Sequence, residues 1–205
     1  MRKNNLYLVL SSEYNQQMDV LAIAEQAILG GVDIIQMREK YLSYPKKVAL
    51  GNKLRALCKK NNVMFIVNDD PYLAKQLDAD GVHLGQTDLE KFSMPMIRQI
   101  IGRNKIIGIS THSLEQFKES LKQGCDYLAY GPIFPTKTKD YHIGISQIEQ
   151  VLAVSDIPIV FIGGINLENI DIVLDLGARN IALIRAIMQS ENIEQITREF
   201  KQKIN

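Results

Sequence analysis

Several short polar clusters in the chain each follow directly on an apolar run. In Gln36-Met37-Arg38-Glu39-Lys40 an extended backbone directs Gln36, Arg38 and Lys40 to one side. One amide and two cations on one side can act together on an anion. The bland alternative is a charged strand end in solvent, with Arg38 paired to Glu39. Asn68-Asp69-Asp70-Pro71 and His83-Leu84-Gly85-Gln86-Thr87-Asp88 bring carboxylates to two further run ends. Hard oxygen ligands suit Mg²⁺, which takes one or two carboxylates and completes its shell with water and substrate phosphate. Of Asp69 and Asp70, one is expected to cap the helix that Pro71 opens, leaving the other to bind.

Further along, Gly108-Ile109-Ser110-Thr111-His112-Ser113 is followed by Gln116, so Ser113 and Gln116 have the spacing of a capping box. Ser110 has no base and acid partner in its own loop, and no nucleophilic triad is expected; His112 could reach a proton at a site mouth. Gly131 to His142 is the longest irregular stretch, rich in hydroxyl and amino donors, and reads as a phosphate-binding lid. Gly163-Gly164-Ile165-Asn166 lets backbone N–H groups approach an anion closely, because two Cβ atoms are missing. Ile184-Arg185-Ala186 leads into a short helix. Together these clusters imply two anion sites, and therefore two phosphorylated substrates.

Eight short apolar runs must position these clusters: Leu6 to Leu10, Ile34 to Met37, Val63 to Val67, Gly81 to Leu84, Ile106 to Ile109, Tyr127 to Tyr130, Ile159 to Ile162 and Ile181 to Ile184. Between them lie helical patterns such as Val20, Ala24, Ala27 and Ile28. Gly30-Gly31-Val32-Asp33, Asp78-Ala79-Asp80-Gly81, Gly124-Cys125-Asp126 and Gly177-Ala178-Arg179 each precede a strand, as helix stops do. Strands joined through helices pair in parallel with right-handed crossovers. Eight such units in 205 residues predict one α/β domain spanning 1–205, a (β/α)8 TIM barrel whose chemistry sits at the C-terminal strand ends. An open doubly wound sheet is the other candidate, but it needs a glycine-rich phosphate loop after the first strand, and Leu10-Ser11-Ser12-Glu13 is not one.

Composition narrows the partners. Lys plus Arg number 24 against 23 Asp plus Glu, so no overall field favours nucleic acid or an anionic membrane, and any anion must be bound locally. No apolar run reaches the 18 or so residues that a membrane span requires. Cys58 and Cys125 have neither disulfide-framework nor zinc spacing, which suggests a reducing cytoplasm. The opening Met1-Arg2-Lys3 and the short run after it show no targeting pattern.

Taken in order, these motifs resemble the thiamine phosphate synthase family over nearly the whole chain. The landmarks are Gln36-Met37-Arg38-Glu39-Lys40, Val67 to Asp70, Asp80 to Asp88, Gly108-Ile109-Ser110, Gly131 to Lys139 and Ile162 to Ile165. The resemblance implies a (β/α)8 barrel that joins a pyrimidine pyrophosphate to a thiazole phosphate. It assigns Gln36, Arg38, Lys40, Asn68, Ser110 and Lys139 to the pyrimidine pyrophosphate, with Arg38, Lys40, Ser110 and Lys139 closest to the chemistry. Asp69 and Asp88 fall to Mg²⁺. Thr136, Thr138, Gly164, Ile184 and Arg185 fall to the thiazole phosphate, and a homodimer is the implied assembly. The chemistry is a dissociative displacement of pyrophosphate by the thiazole nitrogen. Three features depart from the pattern: Arg185 replaces a usual serine, Ala178-Arg179-Asn180 lacks the usual Asp-Gly turn, and the loop after Lys139 is short. Two other readings stay open, a related thiazole tautomerase using His112 and a catalytically silent barrel that binds a phosphorylated ligand.

Overall fold

The structure is a computed structural model that describes residues 4–15 and 17–205; the segment Met1 to Lys3, read for targeting signals, lies outside them. Eight strands alternate with helices: β1 (Leu6–Leu10), α1 (Val20–Leu29), β2 (Ile34–Met37), α2 (Tyr44–Lys60), β3 (Met64–Asn68), α3 (Pro71–Gln76), β4 (Gly81–Leu84), α4 (Gln86–Leu89) and α5 (Met94–Ile101). They continue through β5 (Ile106–Thr111), α6 (Leu114–Leu121), β6 (Tyr127–Tyr130), α7 (Ile148–Ala153), β7 (Ile159–Ile162), α8 (Ile170–Asp175), β8 (Asn180–Leu183), α9 (Arg185–Met188) and α10 (Ile193–Ile204). Each strand pairs in parallel with the next, and β1 pairs with β8, which closes the (β/α)8 barrel. Strand ends differ by a residue or two from the apolar runs. β5 reaches Thr111 and β8 starts at Asn180, because Ser110 and Thr111 pair with Ala129 and Tyr130, and Asn180 with Val160. Inter-strand hydrogen bonding, not side-chain polarity, decides where pairing stops.

Period-two alternation sorts every strand between two layers. On β1, Leu6, Leu8 and Leu10 face the helices, whereas Tyr7 and Val9 face the barrel interior with Ile34, Ile66, Tyr127 and Val160. On the outer side, α1 buries Val20, Ile23, Ala24 and Ala27, one helical face set against the strands. Among the described residues, no helix is long and apolar enough to cross a membrane.

The repeated pre-strand signature has two parts. Gly31, Gly124 and Gly177 take left-handed backbones, at φ +96°, +78° and +96°. In the Asp78-Ala79-Asp80-Gly81 copy the turn falls to Asp78, at φ +47°. Gly81 instead opens β4, where a Cβ would stand 2.2 Å from the Ile106 carbonyl oxygen. The aspartates of the signature close the lower end of the barrel. Asp33, Asp80 and Asp126 accept the N–H groups of Leu6, Phe65 and Ile107 at 2.8, 2.8 and 2.7 Å. Lys201, Arg55 and Arg98 pair with the same carboxylates, so these charges serve the scaffold and leave the opposite end for chemistry.

Candidate active site

A cavity of about 500 Å³ opens at the C-terminal ends of the strands. Its wall carries Gln36, Arg38, Asn68, Ser110, Thr136, Thr138, Lys139, Gly164, Ile184 and Arg185, which the chain brings together from six strand ends. Val9, Ala129, Val160 and Ala182 give it an apolar floor.

A chain of polar side chains, all buried except Ser110, runs through the cavity lining. Gln36 Nε2 donates to the Tyr7 hydroxyl at 2.7 Å, and the Tyr7 and Tyr127 hydroxyls lie 2.9 Å apart. The Tyr127 hydroxyl meets His83 Nδ1 at 2.8 Å, and His83 Nε2 meets Ser110 Oγ at 2.8 Å. Donors can run in one direction throughout: Gln36 to Tyr7, Tyr7 to Tyr127, Tyr127 to His83, and the His83 Nε2–H to Ser110. Ser110 then has its own proton to present to the cavity. The serine therefore has a histidine partner, supplied by β4 and not by its own loop. It is no triad, because the residue behind His83 is Tyr127, whose hydroxyl is raised by burial and remains neutral, where a triad places a carboxylate.

Burial, with a smaller contribution from His112, pushes the His83 imidazole down to about 4. Below its ordinary value of 6.5 the unfolded chain takes up a proton there that the folded protein refuses, so stability falls as pH drops from 6.5 toward 4. The expected loss from this group is about 3 kcal/mol across that window. Urea unfolding at pH 7 and pH 4.5 should show a loss that is smaller in His83→Gln; equal pH slopes for the two proteins would contradict it.

Beside His83, whose carbonyl accepts from Asp69 N–H at 2.7 Å, Arg38 and Lys40 act on an aspartate pair. Asp69 is pushed up to about 6, first by burial and then by the Asp88 charge and a hydrogen bond between the two carboxyls, against the lowering influence of Lys40 and Arg38. Asp69 also holds a left-handed backbone, at φ +64°, a conformation that aspartate tolerates better than most residues. Asp88 is anchored by the Gly85 N–H at 2.9 Å. Asp70 caps α3 by accepting from Leu73 N–H at 2.9 Å, so it is the capping aspartate of the two. Among the described residues no group of three or more His, Cys, Asp or Glu gathers as a metal cluster.

Arg38 does not pair with Glu39. Its Nη1 lies 3.2 Å from the Tyr14 hydroxyl and 3.7 Å from Glu13, while Glu39 turns away to accept from Ser12 N–H and Oγ at 2.7 and 2.6 Å. The alternation that groups Gln36 with Arg38 stops being a strand after Met37, and Lys40 is exposed beyond the cavity wall.

The lid segment packs over the end of β7. Thr138 N–H donates to Thr136 Oγ1 at 3.3 Å, and Arg185 Nη1 donates to Thr138 Oγ1 at 2.9 Å. Arg185 thus lines the cavity with its guanidinium tied to the lid. Gly164, at φ +67°, passes so close beneath the lid that a Cβ would stand 2.5 Å from the Pro135 carbonyl oxygen. His112 lies in the wall with Nδ1 2.6 Å from the Gly131 carbonyl oxygen. Ser113 accepts from Gln116 N–H at 3.2 Å and is a helix cap.

A sequence profile described as thiamine monophosphate synthase matches residues 6–187. The chain belongs to the thiamine monophosphate synthase family. It is 43% identical over 197 residues to a thiamine-phosphate synthase of Halalkalibacterium halodurans, covering 95% of this chain and 92% of that protein. A second relative of that name, from Alkaliphilus oremlandii, is 39% identical over 201 residues, covering 97% and 95%. Among solved structures, a thiamine phosphate pyrophosphorylase from Pyrococcus furiosus superposes with a TM-score of 0.88 at 33% identity, covering 98% of this chain and 95% of that one. Family membership makes the protein a transferase of thiamine biosynthesis.

Tyr7, His83, Tyr127 and Tyr14 are site residues that the motif reading left out. For the first three a signal existed, since alternation places polar tips at inward positions of β1, β4 and β6. Tyr14 sits in a single turn, Ser12–Tyr14, that has no periodicity to read.

Proposed function

We propose that the protein condenses the pyrimidine pyrophosphate with the thiazole phosphate, releasing thiamine phosphate and pyrophosphate, and that it does so by a dissociative displacement. The observation that carries this reading is one cavity that combines an apolar floor with a cationic rim of Arg38, Lys139 and Arg185. Flat heteroaromatic rings fit the floor, and the rim takes the phosphorylated tails.

The bond from the pyrimidine methylene carbon to the pyrophosphate oxygen breaks, and its electron pair leaves with the pyrophosphate. The lone pair of the thiazole nitrogen then forms the new C–N bond, so no protein nucleophile is required. Gln36, held by Tyr7, orients the amino-pyrimidine, and the Ser110 hydroxyl and Asn68 complete its contacts. Arg38, Lys40 and Lys139 stabilise the charge that develops on the departing pyrophosphate, the principal task left to the protein. Thr136, Thr138, Gly164, Ile184 and Arg185 receive the thiazole phosphate through hydroxyls, backbone N–H groups and one cation. Asp69 and Asp88 would hold Mg²⁺, which when bound neutralises pyrophosphate oxygens. The fit rests on two hard oxygen donors brought together, a largely buried Asp69 with the Asp88 carboxylate beside it.

Pyrophosphate release is the deciding measurement, with the pyrimidine pyrophosphate, the thiazole phosphate and Mg²⁺ each omitted in turn. Release that needs all three is expected. A folded protein that binds the thiazole phosphate without releasing pyrophosphate would overturn the reading in favour of a proton shift through His112 or a silent binding barrel. In the same assay Asp88→Asn should raise the Mg²⁺ concentration for half-maximal rate by about tenfold, the scale of losing one charged ligand contact. An unchanged Mg²⁺ dependence would place the ion elsewhere.

We assign the protein to the cytoplasm, where the buried free thiols of Cys58 and Cys125 would stay reduced. A homodimer is the assembly we expect, for analytical ultracentrifugation to test.

A further inference from the structure

Two arginines of the cavity wall, Arg38 and Arg185, meet at one residue that does not line it. Tyr14 is 7% exposed and lies behind the wall. Its hydroxyl oxygen accepts from Arg38 Nη1 at 3.2 Å, and the Arg185 guanidinium carbon lies 4.5 Å from the centre of its ring. The backbone holds the ring in place on both sides. Tyr14 N–H donates to the Ser11 carbonyl at 3.2 Å, and its own carbonyl accepts from Gln189 Nε2 at 3.1 Å. Next to it, Asn15 Nδ2 donates to the Met188 carbonyl at 2.6 Å, tying the loop after β1 to the end of α9.

We propose that Tyr14 is a positioning residue serving both substrates, its hydroxyl aiming Arg38 at the pyrophosphate and its ring face seating Arg185 against the thiazole phosphate. Arginine is a long side chain whose rotamer freedom opposes any single geometry, so a fixed partner lowers the cost of holding it in place. Arg38 has the Tyr14 oxygen and the more distant Glu13 carboxylate to hold it; Arg185 has the ring below and Thr138 Oγ1 at 2.9 Å. Tyr14 holds both guanidinium groups through an oxygen and a ring face and brings no carboxylate to them. A carboxylate in the same place would hold them as firmly but would compete with the phosphate.

This proposal rests on the two-substrate reading, and its test separates from that reading because it is made on binding alone. Calorimetric titration would follow inorganic pyrophosphate with Mg²⁺ as one probe and hydroxyethylthiazole phosphate as the other. Tyr14→Phe keeps the buried ring and removes the oxygen. It should weaken pyrophosphate binding by about tenfold, the loss of a hydrogen bond to a charged group, and leave the thiazole phosphate within about twofold. Tyr14→Leu removes both contacts and should weaken both ligands, the thiazole phosphate by about threefold to tenfold. In an Arg185→Ala background Tyr14→Leu should no longer affect the thiazole phosphate yet still weaken pyrophosphate, as expected if the ring acts through Arg185. The phenylalanine variant alone keeps the test decisive if the leucine variant folds poorly. Equal effects on both ligands in Tyr14→Phe, or no effect on either, would overturn the proposal.

Discussion

Arg38→Ala is expected to lower kcat/KM for the pyrimidine pyrophosphate by about two to three orders of magnitude, or about 3–4 kcal/mol. The arginine side chain is 16% exposed, lines the cavity, and lowers the Asp69 carboxyl through its charge. In a reaction that leaves the protein little to do beyond stabilising a departing anion, loss of a partly buried cation raises the transition state more than the ground state. Most of the effect should therefore appear in kcat, with a smaller change in the KM for the thiazole phosphate, which Arg38 reaches only through Tyr14. Steady-state kinetics with each substrate varied in turn would show it. Unchanged turnover would remove Arg38 from the pyrophosphate contacts.

Gly164→Ala should cost stability and the thiazole phosphate together. The residue sits at φ +67°, and a Cβ there would stand 2.5 Å from the Pro135 carbonyl oxygen and 2.8 Å from the Phe134 carbonyl carbon. Those neighbours are backbone atoms of the lid, so the strain cannot be relieved by rotating a side chain. The combined cost of a left-handed alanine and displaced backbone is about 2–4 kcal/mol. Gly124→Ala is an internal control: it has φ +78° and nothing within 4 Å of the new Cβ, so it carries the backbone strain alone. Urea unfolding should rank Gly164→Ala clearly below Gly124→Ala, with a raised KM for the thiazole phosphate only in the first. Equal unfolding midpoints would show that the lid gives way freely.

The barrel was legible because an apolar run alternates with a helical face along the chain, and four of the strands are preceded by a recognisable helix stop. The residues at the run ends were legible as well, from Gln36 and Arg38 on the second strand to Gly163-Gly164 on the seventh. The division between Asp69 and Asp70 was readable in kind, since Pro71 marks the helix that one of them must cap. Other pairings were not legible. Arg38 next to Glu39 suggested a local pair, yet the loop after β1 supplies both Tyr14 and Glu13 from 24 and 25 positions away. Ser110 had no partner in its own loop, and only barrel closure sets His83 of β4 and Tyr127 of β6 beside it.

The sequence alone determined the number of strand-and-helix units, the face on which chemistry gathers and the residue types available there, since these follow from periodicity and turn chemistry within a few neighbouring residues. The tertiary structure decided which polar groups meet: the five-residue run from Gln36 to Ser110, the Asp69 and Asp88 pair, and the seat that Tyr14 makes for two arginines. Local pattern directs a side chain inward or outward. Its partner across the barrel depends on strand register and on loops whose paths are set by packing, and neither is written in the spacing of any one motif.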